Sequence, residues 1–183
     1  MARVRGTALL DAQAFVRDNY GPDAVARVRK GLPAKTKAVF QHVIREVGWY
    51  PLESLTAYLV TARTLLDPGA HEFYRAQGDY AARRQKAGAL ESMVSTLELR
   101  MRLVRTIWRM FYDVGRVEVV GATEGNVVAR ILDFPTTAEL CERFRGIWEG
   151  MSSTEDRQAT AQETKCVLRG DPYCELKVTY SSK

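Results

Sequence analysis

The chain carries a β-hairpin signal at Glu163-Thr164-Lys165-Cys166-Val167-Leu168-Arg169-Gly170-Asp171-Pro172-Tyr173-Cys174. Gly170-Asp171-Pro172 is typical of a turn, and apolar or β-branched residues lie on both sides of it. A loop of three residues beginning at Arg169 would set Cys166 directly opposite Cys174, with Cβ atoms about 4.5–5.5 Å apart. Two thiolates at that separation could bind one metal ion.

Cys141 and Glu163 complete a possible ligand set for tetrahedral zinc, with three sulfurs and one carboxylate. Together with Cys166 and Cys174, Cys141 accounts for all three cysteines of the chain. The hairpin pair could also form a disulfide, or be two buried small hydrophobic residues. We expect a cytoplasmic chain, because no secretory signal follows Met1 and no segment approaches the roughly 18 apolar residues of a membrane span. A disulfide is disfavoured there, which leaves zinc, unliganded thiols and redox chemistry as alternatives.

The parity of the strand places a condition on this metal site. Glu163 and Cys166 are an odd number of positions apart, so in a regular strand their side chains point to opposite faces. Both can reach one ion only if a β-bulge intervenes, or if Glu163 precedes the regular strand. With four protein ligands the site would be structural, because no position stays open for water or substrate.

Length and composition indicate an ordinary globular protein. The 183 residues, 46% hydrophobic and 27% charged, predict a single domain over 1–183. The net charge of +5 would permit contact with nucleic acid, but the positive residues alternate with apolar ones along helices. No helix-turn-helix, zinc-finger or RNA-binding pattern is present, so we expect no nucleic-acid partner. No phosphate loop, nucleophile elbow or Cys/His dyad is present either, and we expect no enzyme activity.

The periodicity of the chain changes near residue 114. Helical spacing before this point predicts helices over 8–19, 23–30, from 36, over 51–66, 70–88 and 91–113. Alternating spacing after it predicts strands over 117–120, 126–132, 156–168 and 173–181, with a helix from Thr136 that carries Cys141. The prediction is an α+β fold, in which an N-terminal helical bundle (1–113) packs on a C-terminal four-stranded antiparallel sheet (114–183). The sheet consists of two hairpins with a helix between them.

The order of these elements resembles the four-vinyl-reductase domain superfamily, which is related to heme nitric-oxide-binding domains and to TRAPP tethering subunits. The resemblance covers essentially the whole chain. Uncharacterised bacterial homologues of the superfamily begin with a similar sequence. Its N-terminal part is Gly6-x8-Phe15-Val16-Arg17-x2-Tyr20-Gly21, followed by Trp49-Tyr50-Pro51. Its C-terminal part is sharper, because phenol-sensing activators of the superfamily hold zinc through Cys, Glu, Cys and Cys at similar separations. The resemblance implies structural zinc at Cys141, Glu163, Cys166 and Cys174, and Gly146 and Gly150 are similar to glycines that follow the first ligand.

Heme, which one branch of these relatives binds, is predicted to be unlikely. The chain has only two histidines, His42 and His71, and lacks the Tyr-x-Ser-x-Arg motif of that branch. The segment 89–113, where a proximal ligand would be sought, has no histidine.

Two functions fit the resemblance. The first is a ligand-binding sensory module for a small hydrophobic or aromatic molecule, with Trp108, Phe111 and Tyr112 as candidate pocket lining and zinc stiffening one wall. The same residues at helical spacing would also suit plain core packing. The second is a TRAPP-like interaction module without a small ligand. In either case we expect a homodimer or a separate protein partner to carry the signal. A closed cavity of roughly 300 Å³ or more would favour the sensor, and a filled core with an exposed apolar patch would favour the scaffold.

Overall fold

The computed structural model describes residues 1–70, 72–85, 97–123 and 125–182, without the side chains of residues 97–102. His71, the last residues (86–88) of the predicted helix over 70–88 and the part of the long helix over 91–96 therefore lie outside the described residues. Within the described ranges, helices and two antiparallel sheets are present, one of them four-stranded, and the predicted α+β fold is confirmed.

Seven α-helices are described: α1 (Gly6–Tyr20), α2 (Pro22–Gly31), α3 (Ala34–Phe40), α4 (Leu52–Leu66), α5 (Phe73–Gln85), α6 (Leu97–Phe111) and α7 (Ala138–Ser152). The boundary between α1 and α2 follows from two residues. Gly21 has a φ of 86°, and its N–H bonds to the Arg17 carbonyl at 2.9 Å, which ends α1. Pro22 then suits the first position of α2, where a backbone N–H would have no partner.

The strands form two sheets. In the larger one β3 (Arg116–Ala122), β4 (Asn126–Leu132), β5 (Arg157–Lys165) and β6 (Cys174–Ser182) lie in the order β3-β4-β6-β5, all antiparallel, with α7 between the two hairpins. This is the predicted four-stranded sheet. The sequence did not predict the smaller sheet, a pair of β1 (Arg3–Arg5) and β2 (Trp49–Pro51), because three-residue strands give no alternation to detect.

The core lies between one face of the large sheet and the helices. Alternate residues of β4 and β6 are buried on this face, among them Val127, Ala129, Leu176 and Val178. The opposite face carries polar residues such as Arg130, as expected for an antiparallel sheet with one solvated side. In the described ranges, no helix has the length and apolar character needed to cross a membrane.

Helices α5 and α7 cross in backbone contact, because glycines lie at the crossing. A Cβ atom added to Gly78 would lie 2.0 Å from the Arg143 carbonyl oxygen, and one added to Gly146 would lie 1.8 Å from the Arg75 carbonyl oxygen. The sequence predicts a partly exposed helix over 70–88. The helix α5 is partly exposed as predicted: Arg83 and Arg84 are exposed, whereas the face that contacts α7 is buried and includes Gln77, which is fully buried.

Side chains at the C-terminal end of α7, including its C-cap Ser153, cover the free edge of β5. The Ser153 hydroxyl accepts from the Ala159 N–H at 3.0 Å, and the Glu149 carboxylate accepts from the Ala161 N–H at 2.7 Å. The same carboxylate accepts two bonds from the Arg75 guanidinium, at 2.5 and 2.7 Å. One buried carboxylate thus joins α5, α7 and the sheet edge, and together with Ser153 it occupies two backbone N–H groups through which the edge strand could pair with another chain.

Replacing Glu149 with alanine is expected to lower the free energy of unfolding by about 3 kcal/mol, because Arg75 and the Ala161 N–H lose a largely buried charged partner. Urea unfolding measures the loss. The matched control is Glu142→Ala, which removes a half-exposed carboxylate that pairs with Arg145 on the same helix, and should cost under about 1 kcal/mol. Equal losses in the two variants would contradict this role of Glu149.

Candidate functional site

The four predicted metal ligands come together at one end of the sheet. Cys141 lies in the first turn of α7, Glu163 lies on β5, Cys166 follows β5, and Cys174 begins β6. The three sulfurs and one carboxylate oxygen all lie within 4.8 Å of one another. The three cysteines are buried and free of disulfides. The cluster thus links the helix between the hairpins to the last hairpin.

The spacing of the sulfurs matches that of tetrahedral zinc ligands. The Cys166 Sγ lies 3.6 Å from the Cys141 Sγ and 3.9 Å from the Cys174 Sγ. Bonds of about 2.3 Å from zinc to sulfur, at the tetrahedral angle, place two sulfurs about 3.8 Å apart. These two sulfur–sulfur separations are therefore close to those that one tetrahedral zinc ion requires.

The loop of the hairpin differs from the prediction. Its strands end at Lys165 and begin again at Cys174, so the loop has more than the three predicted residues, and it contains a 3-10 turn over Val167–Arg169. The loop folds around Cys166, whose N–H donates to the Asp171 carboxylate at 2.8 Å. The two strands nevertheless pair in the predicted register next to this longer loop. Lys165 pairs with Glu175, which leaves Cys166 and Cys174 as the next opposed positions.

A β-bulge resolves the parity of Glu163. Glu163 pairs with Leu176 and Lys165 pairs with Glu175, so the register shifts between them and one residue is left over. Glu163 and Cys166 therefore lie on the same face of the hairpin, the one that contacts the core. The Glu163 carboxylate also accepts from the Arg169 guanidinium at 2.8 Å. A metal ion would share this carboxylate with Arg169.

Burial favours the neutral forms of the Cys141 and Cys174 thiols until a cation is present. Burial raises the pKa of the Cys141 thiol and of the Cys174 thiol, and the charges of neighbouring Glu163 and Cys166 raise both further. A divalent cation reverses this balance, because it stabilises thiolates and releases their protons on binding.

A small enclosed cavity lies beside the sulfurs. Its volume is about 20 Å³, and its lining includes Cys141, Cys174, Glu163, Phe134 and Phe144. A space of roughly 10–15 Å³ on this measure suffices for one water molecule. The cavity is therefore of the size of a single small ion or water, and it touches both the sulfur cluster and aromatic rings.

Two of the three predicted pocket residues lie in a buried aromatic cluster. Trp108 and Tyr112 pack against Phe134 and Phe144, with ring centroids 4.5–5.8 Å apart throughout the group. Phe111, the third, is half-buried and packs against the core outside these ring contacts. Phe134 and Phe144 complete this cluster and were not predicted as lining residues from the sequence. The sequence signal for this role is their position: Phe134 lies just after β4, and Phe144 lies one helical turn beyond Cys141.

A larger depression lies between α5, α7 and β5. It is open, has a volume of about 500 Å³, and is lined mainly by polar and charged side chains. Its charged groups include the ion pairs of Arg75 with Glu149 and of Arg83 with Asp79. These internal pairs make it a less suitable place for an apolar ligand than the ring cluster.

Comparison with known proteins gives the fold. No protein-family profile matches the chain, and no curated protein matches its sequence. Solved structures of H-NOX proteins do match its structure. The Fe(II) unliganded H-NOX protein from K. algicida has a TM-score of 0.72 at 11% identity, covering 98% of this chain and 97% of that one. The H-NOX protein from S. oneidensis in the Fe(II)NO ligation state has a TM-score of 0.72 at 12% identity, covering 97% and 99%. An H-NOX protein studied for heme distortion has a TM-score of 0.68 at 14% identity, covering 98% and 95%. The likeness supports the predicted relation to the heme nitric-oxide-binding fold.

The prediction that heme is unlikely is wrong at the level of the fold. Structures that share this fold over nearly the whole chain include Fe(II) forms and a study of heme distortion, so heme is a cofactor found with it. The prediction relied on missing histidines and a missing motif. In the described ranges, the rings of Trp108, Phe134 and Phe144 are buried and pack against one another, and His42 is exposed beyond the end of α3. Heme is therefore one of the ligands for which the protein must be assayed.

Proposed function

We propose that this chain is a non-enzymatic sensory module that binds a small hydrophobic or aromatic molecule against its buried aromatic cluster. The signal passes through a homodimer or a separate protein partner in the cytoplasm of a bacterium. The proposal includes membership of the four-vinyl-reductase superfamily, in addition to the likeness to H-NOX structures.

One observation carries the proposal: the aromatic cluster and the sulfur cluster share a wall. Phe134 and Phe144 belong to the ring cluster, and both also line the small cavity beside Cys141 and Cys174. A ligand that displaces these rings would therefore press on the helix and the hairpin that the sulfurs join. This contact gives a direct route from ligand binding to the relative position of α7 and β6.

The proposal also assigns a structural zinc ion to Cys141, Glu163, Cys166 and Cys174. Sulfur separations of 3.6 and 3.9 Å support this assignment, as does the bulge that turns Glu163 to the same face. Four protein ligands close the coordination sphere, so the ion would hold α7 to the last hairpin without performing chemistry.

A TRAPP-like interaction module is the second candidate, and the packing of the rings supports it. Trp108, Tyr112, Phe134 and Phe144 fill the space between α6, α7 and the sheet, and the enclosed cavity beside them is far smaller than the roughly 300 Å³ typical of ligand pockets. In this alternative the rings are core, and a protein partner is the only ligand.

Native mass spectrometry of protein purified without added metal tests both candidates in one measurement. We expect one zinc per chain, a dimeric mass and additional mass from a co-purified apolar molecule or heme. Titration with benzamide and octanamide, followed by tryptophan fluorescence, should give saturable binding that Trp108→Phe weakens. Trp148→Phe is the matched control, because Trp148 is buried but lies outside the ring contacts of Trp108.

Absence of any bound molecule, and of any response to the apolar probes, would reject the sensor and favour the interaction module. A zinc content near zero under reducing conditions would reject the metal site separately. An absorption band from bound heme would identify the ligand and retain the sensory role.

A further inference from the structure

Arg143 is a buried cation with neutral hydrogen-bond partners. Its side chain projects from α7, and only 3% of the residue is exposed. Its Nε donates to the Gln77 Oε1 at 2.7 Å, and its Nη1 donates to the Tyr112 hydroxyl at 2.9 Å. In the part of the chain that the structure describes, the ion pairs of α5 and α7 involve other arginines, such as Arg75 and Arg84. A guanidinium away from water normally has a carboxylate partner.

The acidic group near Arg143 is already bound. Asp11 on α1 is buried, and its two carboxylate oxygens accept from the Arg84 guanidinium at 3.0 Å and from the Gln85 amide at 2.8 Å. Burial raises the pKa of Asp11, and the hydrogen bond from Gln85 and the charge of Arg143 act against that rise. Asp11 thus acts on Arg143 from a distance, without a hydrogen bond to it in the described structure.

The surroundings of Arg143 have more donors than acceptors. A guanidinium has five N–H donors, of which Gln77 and Tyr112 accept two. Gln77 is fully buried, and its Nε2 has no hydrogen-bond partner. Turning the amide over would place two donors face to face, so the orientation of Gln77 is fixed by Arg143. The group therefore lacks an acceptor that carries negative charge.

We propose that Arg143, Gln77 and Tyr112 bind the carboxylate of the ligand, which makes the ligand an apolar monocarboxylic acid. The guanidinium supplies the charge, the Gln77 amide supplies a further donor, and Tyr112 connects the group to the aromatic cluster. The Tyr112 ring lies 4.5 Å from Trp108 and 5.8 Å from Phe144, centroid to centroid, so an acid held here that displaces these packed rings has apolar groups beside its carboxylate. The inference rests on the proposed sensory function and names the chemical class of its ligand.

Matched acids and amides test the inference. Benzoate and benzamide, and octanoate and octanamide, differ in charge at nearly constant shape. We expect each acid to bind with a dissociation constant at least tenfold lower than that of its amide, measured by tryptophan fluorescence. Equal binding of acids and amides would overturn the carboxylate site while leaving the sensory module intact. Binding of no probe would reject both. If sodium chloride raised the melting temperature of the protein as much as the acids do, the site would bind a free inorganic anion. That result would overturn the inference.

The variant Gln77→Glu tests the site without removing Arg143, whose loss could prevent folding. It places a carboxylate where the Gln77 amide oxygen now accepts from Arg143. We expect a higher melting temperature for the free protein and loss of the acid-over-amide preference. Gln13→Glu is the matched control, because Gln13 accepts from Arg29 in the same way and also has an unpartnered buried Nε2. It should keep the preference. A Gln77→Glu protein that still prefers acids tenfold would overturn the inference.

Discussion

Replacing Gly146 with valine is expected to abolish stable folding, or to lower the free energy of unfolding by more than about 4 kcal/mol. An added Cβ would lie 1.8 Å from the Arg75 carbonyl oxygen and 2.8 Å from the Asp79 backbone nitrogen. Overpacking against side chains costs about 1–3 kcal/mol, because side chains can rotate away. Backbone atoms of α5 have no such freedom, so the two helices must separate. Urea unfolding followed by circular dichroism measures the effect.

Gly69→Ala is the control for this prediction. Gly69 lies in the turn after α4, and an added Cβ there would meet no atom within 4 Å. Its substitution should change the free energy of unfolding by less than about 0.5 kcal/mol. A Gly146→Val protein with an unfolding midpoint near that of Gly69→Ala would show that α5 and α7 do not cross in backbone contact.

The helix crossing illustrates what the sequence contains and what it hides. Gly146 and Gly150 are visible in the sequence and are similar to glycines of a known superfamily. These glycines are needed because α7 packs closely against α5, which lies about 70 residues earlier in the chain. No local sequence pattern connects the two helices. The same distance explains why the sequence predicted a partly exposed α5 without indicating which helix covers its buried face. Its small and polar residues read as a surface, whereas Gln77 and Gly78 suit a close approach of α7.

The cluster of Cys141, Glu163, Cys166 and Cys174 was more predictable, because three of its four residues lie near one another in the chain. The turn signal and the strand spacing predicted the hairpin register that sets Cys166 opposite Cys174. The odd spacing between Glu163 and Cys166 predicted that both can face one ion only if a β-bulge intervenes or if Glu163 precedes the regular strand. The loop was not predictable in detail. A 3-10 turn and the bond from the Cys166 N–H to Asp171 replace the tighter turn that Gly170-Asp171-Pro172 suggested. Side chains that bind backbone in this way are selected by the whole loop and give no periodic signal.

The likeness in fold does not identify which ligand the ring cluster binds. The likeness to H-NOX structures extends over nearly the whole chain at 11–14% identity, so the arrangement of elements persists while almost every side chain differs. The ligand must then be argued from residues particular to this chain. The sulfur cluster, the four packed rings and the donor-rich group around Arg143 are all attached to α7. Any molecule that moves this helix would alter all three.

Replacing Cys174 with serine is expected to remove zinc from the protein and to lower its melting temperature markedly. Structural zinc contributes about 10–16 kcal/mol of binding free energy in small peptides, where folding depends on it entirely. Here the core extends well beyond the cluster, so we expect a folded but weakened chain in which the last hairpin is released first. Metal analysis should fall from one zinc per chain to near zero, and amide hydrogen exchange should rise in β5 and β6.

Treatment with a chelator separates the loss of stability caused by removing the metal from the loss caused by the substitution itself. A buried serine hydroxyl costs about 1–3 kcal/mol even at an unliganded position, so a loss of stability in Cys174→Ser alone is ambiguous. A strong chelator should lower the melting temperature of the unmodified protein and leave that of Cys174→Ser unchanged, because only the former has zinc to lose. Glu163→Gln should give an intermediate loss, since three thiolates still bind the ion and Arg169 loses its carboxylate partner. An unmodified protein that is indifferent to the chelator would show that Cys141, Cys166 and Cys174 are unliganded thiols.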